Sequence, residues 1–387
     1  MQMWGSSKTR NFVIILLIVV LGTPPLMIGP AFSQSSYSVS LSSTGKIEAN
    51  INAFQIRGAS VTSDVFVPTA RNYNPNAWQL LKEAGINTIC VCGGIEGNAL
   101  GLNINNNPNT WAQNLDGFLS NAAAYGIKVY FGDLGDTYGS LFGIINPGNN
   151  AVLPATSISQ AKTMINALAG NNSLGHNFIT DPRILMWITS NETPIDNPTI
   201  FPDGTTILSW NLQLCDYIRS LGGKVTIGSP YVGDSDYDYT VTLPLIQGHV
   251  DYLDIHAYLL SQWYNTCNKN YTSFLNYYKN YLATAVVQPA LQSGYSLSQV
   301  ILGEFGLWTG TGTDQGITAT FTDAERAVYY QAVFDAAKAD GIQNVLFFTF
   351  FSEIEPGGTY LTPNYGVVAN GTFYPNLYDI ISNAYNP

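Results

Sequence analysis

Apolar residues in this chain fall mostly into short unbroken runs, not into polar–apolar alternation. Ile184-Leu-Met-Trp-Ile188, Val300-Ile-Leu302 and Val345-Leu-Phe-Phe348 have no polar face. Strands covered on both sides have that pattern. Eight strands are predicted, near Gln55–Ala59, Asn87–Cys92, Lys128–Gly132, Ile184–Thr189, Lys224–Gly228, Tyr252–His256, Val300–Gly303 and Val345–Thr349. Helical stretches fall between most of them, at Thr110–Tyr125, Ser157–Leu168, Ile207–Leu221, Tyr271–Leu291 and Asp323–Ala339.

A recurring junction joins these elements. A helix ends, a glycine follows, and a β-branched run begins, at Gly85, Gly126, Gly222 and Gly341. Glycine takes the left-handed conformation at a helix end without a Cβ penalty. Repeated helix–Gly–strand junctions predict a parallel sheet covered by helices, and eight β/α units fit a closed (β/α)8 (TIM) barrel, of the α/β class. A doubly wound open sheet is the alternative. It would carry a Gly-rich phosphate turn after the first strand, and Arg57-Gly-Ala-Ser60 is not one.

The first residues read differently. Lys8 and Arg10 precede an apolar run, Phe12 to Leu21, which Pro24-Pro25 ends before Ala31-Phe-Ser33. The run is too short to span a bilayer and matches a signal peptide over residues 1–33. An uncleaved anchor is the alternative. Residues 34–43 are Ser-rich and read as a linker, and residues 44–387 as a single domain. The expected product is secreted and monomeric, with no membrane association after cleavage.

Charge and composition narrow the partners. Only 11% of the 387 residues are charged, and the formal net charge is −11. Nucleic acid is excluded as a partner, because phosphate binding needs clustered Lys and Arg. Twenty-four Tyr and seven Trp suit stacking on uncharged sugar faces. Cys90, Cys92, Cys215 and Cys267 are expected as buried free thiols, since residues two apart on a strand are poorly placed to bridge. The three histidines show no metal-ligand spacing, and neither metal nor cofactor is expected. Glu325-Arg326 reads as an exposed helix face.

Two glutamates stand where apolar runs end: Glu192 in Ser190-Asn-Glu192 and Glu304 in Gly303-Glu-Phe-Gly306. Chemistry in a (β/α)8 barrel is done at the C-terminal ends of strands. Three β/α units separate the pair, so they face each other across one mouth, as glycoside hydrolysis requires of two carboxylates.

Asn191-Glu192, His256-Ala-Tyr258, Gly303-Glu-Phe-Gly306 and the tail Asn364-Tyr-Gly-Val-Val-Ala-Asn-Gly-Thr372 come in an order that resembles the retaining glycoside hydrolase clan of β/α barrels, and within it the cellulase-like family five. The resemblance runs from about Ile47 to the end. It implies cleavage of β-glycosidic bonds in a polysaccharide or oligosaccharide of β-glucan or β-mannan type. It also implies roles: Glu192 as acid/base with a raised pKa, Glu304 as an ionised nucleophile, Asn191 on the sugar 2-hydroxyl, Tyr258 donating to Glu304, and His256 beside the acid/base. The family's strand-two Arg, strand-three His and strand-eight Trp have no counterparts here; the positions hold Cys90-Val-Cys92, Asp133 and Phe347–Phe351. Arg57 is the expected substitute for the missing guanidinium. Trp263 and Trp308 are expected as stacking platforms, and Trp187 as barrel wall. Glu96, Asp133, Asp136, Asp236 and Glu353 are loop acids on the same face. Two other readings use the same residues: transglycosylation, and a catalytically silent carbohydrate-binding barrel.

Overall fold

A computed structural model describes residues 38–41, 47–50, 54–70, 72–91, 100–102, 108–131, 158–196, 204–230, 238–314, 316–352, 364–374 and 376–385. The signal-peptide segment and the loop acids Glu96, Asp133, Asp136, Asp236 and Glu353 lie outside them. The chain divides into two units, Met1–Ala53 and Phe54–Pro387. In the first, Ser38–Leu41, within the stretch read as a linker, pairs antiparallel with Ile47–Asn50.

The second unit is a closed barrel of eight parallel strands. They are β1 (Arg57–Val61), β2 (Thr88–Val91), β3 (Lys128–Phe131), β4 (Ile184–Asn191), β5 (Val225–Gly228), β6 (Leu253–His256), β7 (Val300–Glu304) and β8 (Asn344–Phe347). β8 pairs with both β1 and β7, which closes the ring. Helices follow the strands: α1 (Ala77–Glu83), α2 (Trp111–Ala124), α3 (Ile158–Leu168), α4 (Ile207–Ser220), α5 (Tyr239–Ile246), α6 (Tyr271–Tyr281), α7 (Asp323–Ala339) and α8 (Leu377–Tyr385). α6 runs on through a π-helical turn, Leu282–Val287, into Gln288–Gln292. Among the described residues no helix is long and apolar enough to cross a membrane.

The strands are apolar on both faces because both faces are buried. Ile56, Cys90, Tyr130, Met186, Ile188, Ile301 and Leu346 fill the barrel interior. The alternate residues, among them Ile89, Val129, Trp187, Val225, Leu302 and Phe347, pack outward under the helices. Trp187 stacks on Phe131 there, as wall.

Several elements were not predicted. α5 carries Pro244 and three β-branched residues in its first turn, so its helix propensity is low. It forms because the Asp238 side chain caps the Thr240 N–H and because Tyr239, Leu243 and Ile246 are buried. The hairpin Gly310–Asp314 with Ile317–Phe321 alternates buried and exposed positions on its second strand.

Two expectations are corrected. Arg326 is fully buried, not part of an exposed face: its Nη1 donates to the Gly366 carbonyl at 2.7 Å and its guanidinium lies over the Tyr374 ring. Glu325 sits in the first turn of α7, where it closes a capping box with Thr322 and pairs with Lys269. Cys90 is disulfide-bonded, while Cys215 and Cys267 are free and buried. β2 runs to Val91, and Cys92 lies outside the described residues.

The barrel seam is held by the last helix. The Tyr385 hydroxyl lies 2.9 Å from the Gly58 carbonyl on β1 and 3.0 Å from that of Val345 on β8. Tyr385→Phe keeps the packing and removes this bridge. It should cost about 0.5–1.5 kcal/mol and lower Tm by about 1–3 °C in a thermal melt.

Candidate active site

Three register shifts interrupt the barrel pairing, and two of them, one on β4 and one on β7, add a residue just before a glutamate. Ile188 pairs with Thr226 and Asn191 with Gly228, so three steps on β4 match two on β5. Thr189 and Ser190 both take their hydroxyls to Asn211 on α4, at 2.7 Å each. Asn191 and Glu192 then emerge at the mouth. On β7, Leu302 pairs with Ile255 and Glu304 with His256, so Gly303 is the extra residue. Such bulges re-aim side chains beside active sites.

Local backbone chemistry supports this placement. Glu192 adopts φ 47°, and its N–H donates to the Gly228 carbonyl at 2.8 Å. A left-handed non-glycine residue costs about 1–3 kcal/mol and persists where the surroundings impose it. Gly228 is required for a steric reason: a Cβ there would lie 2.7 Å from Asn191 Oδ1. That oxygen is buried and accepts no hydrogen bond from the described residues.

His256 joins the two glutamates. Its Nδ1 lies 2.7 Å from Glu192 Oε1 and 3.5 Å from Glu304 Oε2. The His256 N–H donates to Ser229 Oγ at 2.8 Å. Tyr258 donates its hydroxyl to Glu304 Oε2 at 2.7 Å, and its own carbonyl accepts from Tyr329. One ligand atom from each of Glu192, His256 and Glu304 lies within 4.8 Å of the others. The two carboxylates differ in setting: the Glu192 side chain is 40% exposed and that of Glu304 only 8%.

Burial alone would lower the His256 pKa, but Glu304, Glu192 and Asp254 outweigh it and push the imidazole up to about 9. Glu304 moves up to about 7. Burial is the main cause and the charge of Glu192 adds to it, while His256 and the Tyr258 hydroxyl pull the other way. The sequence reading expects a raised carboxyl at Glu192; the buried Glu304 is raised as well. The trio has the donor types of a cation site. A histidine that keeps its proton to about 9 and aims Nδ1 at a carboxylate is not a free ligand, however, so the chemistry favours an ion-paired cluster over a metal.

Asn191, Glu192, His256, Tyr258 and Glu304 thus come together, and three expected residues do not. Arg57 opens β1, at the end of the barrel away from the mouth, and donates from Nη1 to the Tyr385 carbonyl at 2.7 Å. Trp263 is wholly buried in a π-helical turn, edge-on to Phe274 and Tyr329. Trp308 is wholly buried against Phe321 and Tyr365. The segments after β6 and β7 looked polar, yet the turn and the following hairpin fold these indoles inward, so neither is a stacking platform. The sequence reading missed Asp254, which is buried one alternation before His256 on β6 and accepts a hydrogen bond from Tyr130. An acid inside an apolar strand, two residues from a candidate histidine, was the available signal.

No family model matches the chain, and no curated protein matches its sequence. Solved structures do match in fold. A glycoside hydrolase family 5 mannosidase from Rhizomucor miehei is 16% identical over 90% of this chain and 96% of its own, with a TM-score of 0.56. An endo-1,4-beta-D-mannanase from Thermotoga petrophila is 16% identical over 86% of this chain and 99% of its own, at 0.54. An uncultured Clostridium sp. beta-glucuronidase is 14% identical over 90% of this chain and 53% of its own, at 0.56. At these identities the likeness establishes the shared barrel architecture.

Tyr258→Phe removes a donor that favours ionised Glu304 and leaves desolvation less opposed. A charge-assisted hydrogen bond is worth about 1.5–3 kcal/mol, so the Glu304 titration should move up by about 1–2 units. NMR of carbon-13-labelled glutamate side chains reads this directly.

Proposed function

We propose that this chain is a glycoside hydrolase that cleaves β-glycosidic bonds of a neutral polysaccharide or oligosaccharide with net retention. One observation carries the reading. Glu192 and Glu304 stand at the C-terminal ends of two barrel strands with carboxylate oxygens within 4.8 Å of each other. Retaining pairs are spaced about 5–5.5 Å apart, whereas inverting pairs stand about 6.5–9.5 Å apart to admit a water. The architecture shared with the two mannan-directed enzymes supports the assignment and favours a β-mannan or related β-glucan as substrate.

The chemistry runs in two displacements. Glu304 attacks the anomeric carbon as an ionised carboxylate, and the leaving oxygen takes a proton from Glu192. Water then attacks the glycosyl-enzyme ester while Glu192 removes its proton. Burial suits Glu304 to this role, because its oxygen meets a sugar carbon rather than solvent. Half-exposure suits Glu192, which must meet both a departing sugar and a water. Tyr258 and His256 hold Glu304 in the ionised form against its desolvation. The unpartnered Asn191 Oδ1 is an acceptor for a sugar 2-hydroxyl, where hydrogen bonds strengthen in the transition state.

Glu304→Gln and Glu192→Gln should each lower kcat by at least about a thousandfold on mannan- or glucan-derived oligosaccharides while the fold is kept. A 2-deoxy-2-fluoro glycoside should label Glu304; labelling of any other carboxylate overturns the assignment. Glu304 must lose its proton to act, so kcat/KM should rise with pH along an acidic limb near 7. A flat profile from pH 5 to 8 contradicts that dependence.

A further inference from the structure

Beneath the two glutamates lies a third carboxylate that the reaction above does not use. Asp254 is on β6, with its side chain 1% exposed, and it faces into the barrel. Its Oδ2 lies 3.9 Å from His256 Nε2, the ring nitrogen on the far side from Glu192. The same oxygen accepts the Tyr130 hydroxyl from β3. Its Oδ1 is buried and has no hydrogen-bond partner among the described residues. Room for this carboxylate exists only because residue 303 has no side chain: a Cβ on Gly303 would lie 1.7 Å from Asp254 Oδ1. The same glycine is the extra residue that turns Glu304 into the mouth.

We propose that Asp254, held by Tyr130, is a positioning residue that keeps His256 as an imidazolium, and that this buried cation neutralises the Glu304 carboxylate. The inference builds on the glycosidase reading for its consequence, not for its electrostatics. Three carboxylates face the His256 ring: Glu192 after β4, Glu304 on β7 and Asp254 on β6. Tyrosines stand behind two of them: Tyr258 donates to Glu304, Tyr130 to the Asp254 carboxylate and Tyr239 to the Asp254 carbonyl. Among the described residues no Lys or Arg is paired with these carboxylates, so the imidazolium is the cation of the cluster. An ionised carboxylate within about 4–6 Å stabilises such a cation by about 1–3 pKa units. Burial, with the charge of Glu192 behind it, pushes the Asp254 pKa up, while His256 and the Tyr130 hydroxyl pull it down. The contacts are those of a carboxylate: Oδ2 accepts the Tyr130 hydroxyl and faces a nitrogen of the His256 ring.

The chain has three histidines, so nitrogen-15 NMR can resolve the His256 titration without substrate. Asp254→Asn keeps shape and removes charge. It should lower the His256 pKa by at least one unit, and Tyr130→Phe should lower it by less, in the same direction. On aryl β-mannoside and β-glucoside substrates, the alkaline limb of kcat/KM in Asp254→Asn should move to lower pH, because His256 gives up its proton earlier than in the parent. A His256 titration unchanged in a folded Asp254→Asn variant overturns the proposal, since it means Asp254 is neutral in the parent. If Asp254→Asn does not fold, an unchanged titration in Tyr130→Phe does the same. A shifted titration in a protein with no glycosidase activity leaves the inference standing and removes the glycosidase reading. Activity with an unshifted titration does the reverse.

Discussion

Two carboxylates held within 4.8 Å of each other repel, and one of them is buried. At an effective dielectric of about 20 that repulsion is about 3 kcal/mol, less on the open side where water screens Glu192. His256 lies closer to each glutamate than that separation, so its attraction to the pair exceeds their mutual repulsion. The imidazole therefore does more than line a pocket. Without a cation at that point, Glu304 would take up a proton and lose its use as a nucleophile. The tyrosine hydroxyl adds a directional bond to the same oxygen, which fixes where the remaining lone pairs point.

The barrel serves this cluster by breaking its own rule of alternation twice. A regular strand sends successive side chains to opposite faces, so a residue two positions past a core-filling side chain is again in the core. One added residue on β4 and one on β7 shift that phase at the rim. The cost is local: two hydroxyls are pinned to one asparagine, and one glutamate has a left-handed backbone. Glycine at 228 and at 303 removes the side chains that would collide with Asn191 and Asp254.

The eight strands were legible in the sequence because a doubly covered strand has no polar positions to disguise it, and the glycine junctions marked where each helix ended. Glu192 and Glu304 were legible because a lone acid at the end of such a run is conspicuous. His256 and Tyr258 were legible only through the family resemblance, since neither is conspicuous by itself. What was hidden depended on strand phase and long-range packing. Arg57 belongs to the right strand but to its first residue, so it points at the floor. Trp263 and Trp308 sit among polar neighbours, and only the fold of those segments buries them. Asp254 was passed over because a single acid in an apolar run looks like a break, when it is an inward-facing partner for the histidine two residues on.

Arg57 and Tyr385 together have a consequence for how the molecule is made. The guanidinium on the first strand and the phenol on the last helix form the clasp across the seam between first and last strands. A ribosome synthesises the chain from the other end. The edge of the opening strand must therefore wait, unpaired, for a partner not yet polymerised. The ring can lock only once β8 and the helix that carries Tyr385 have been made.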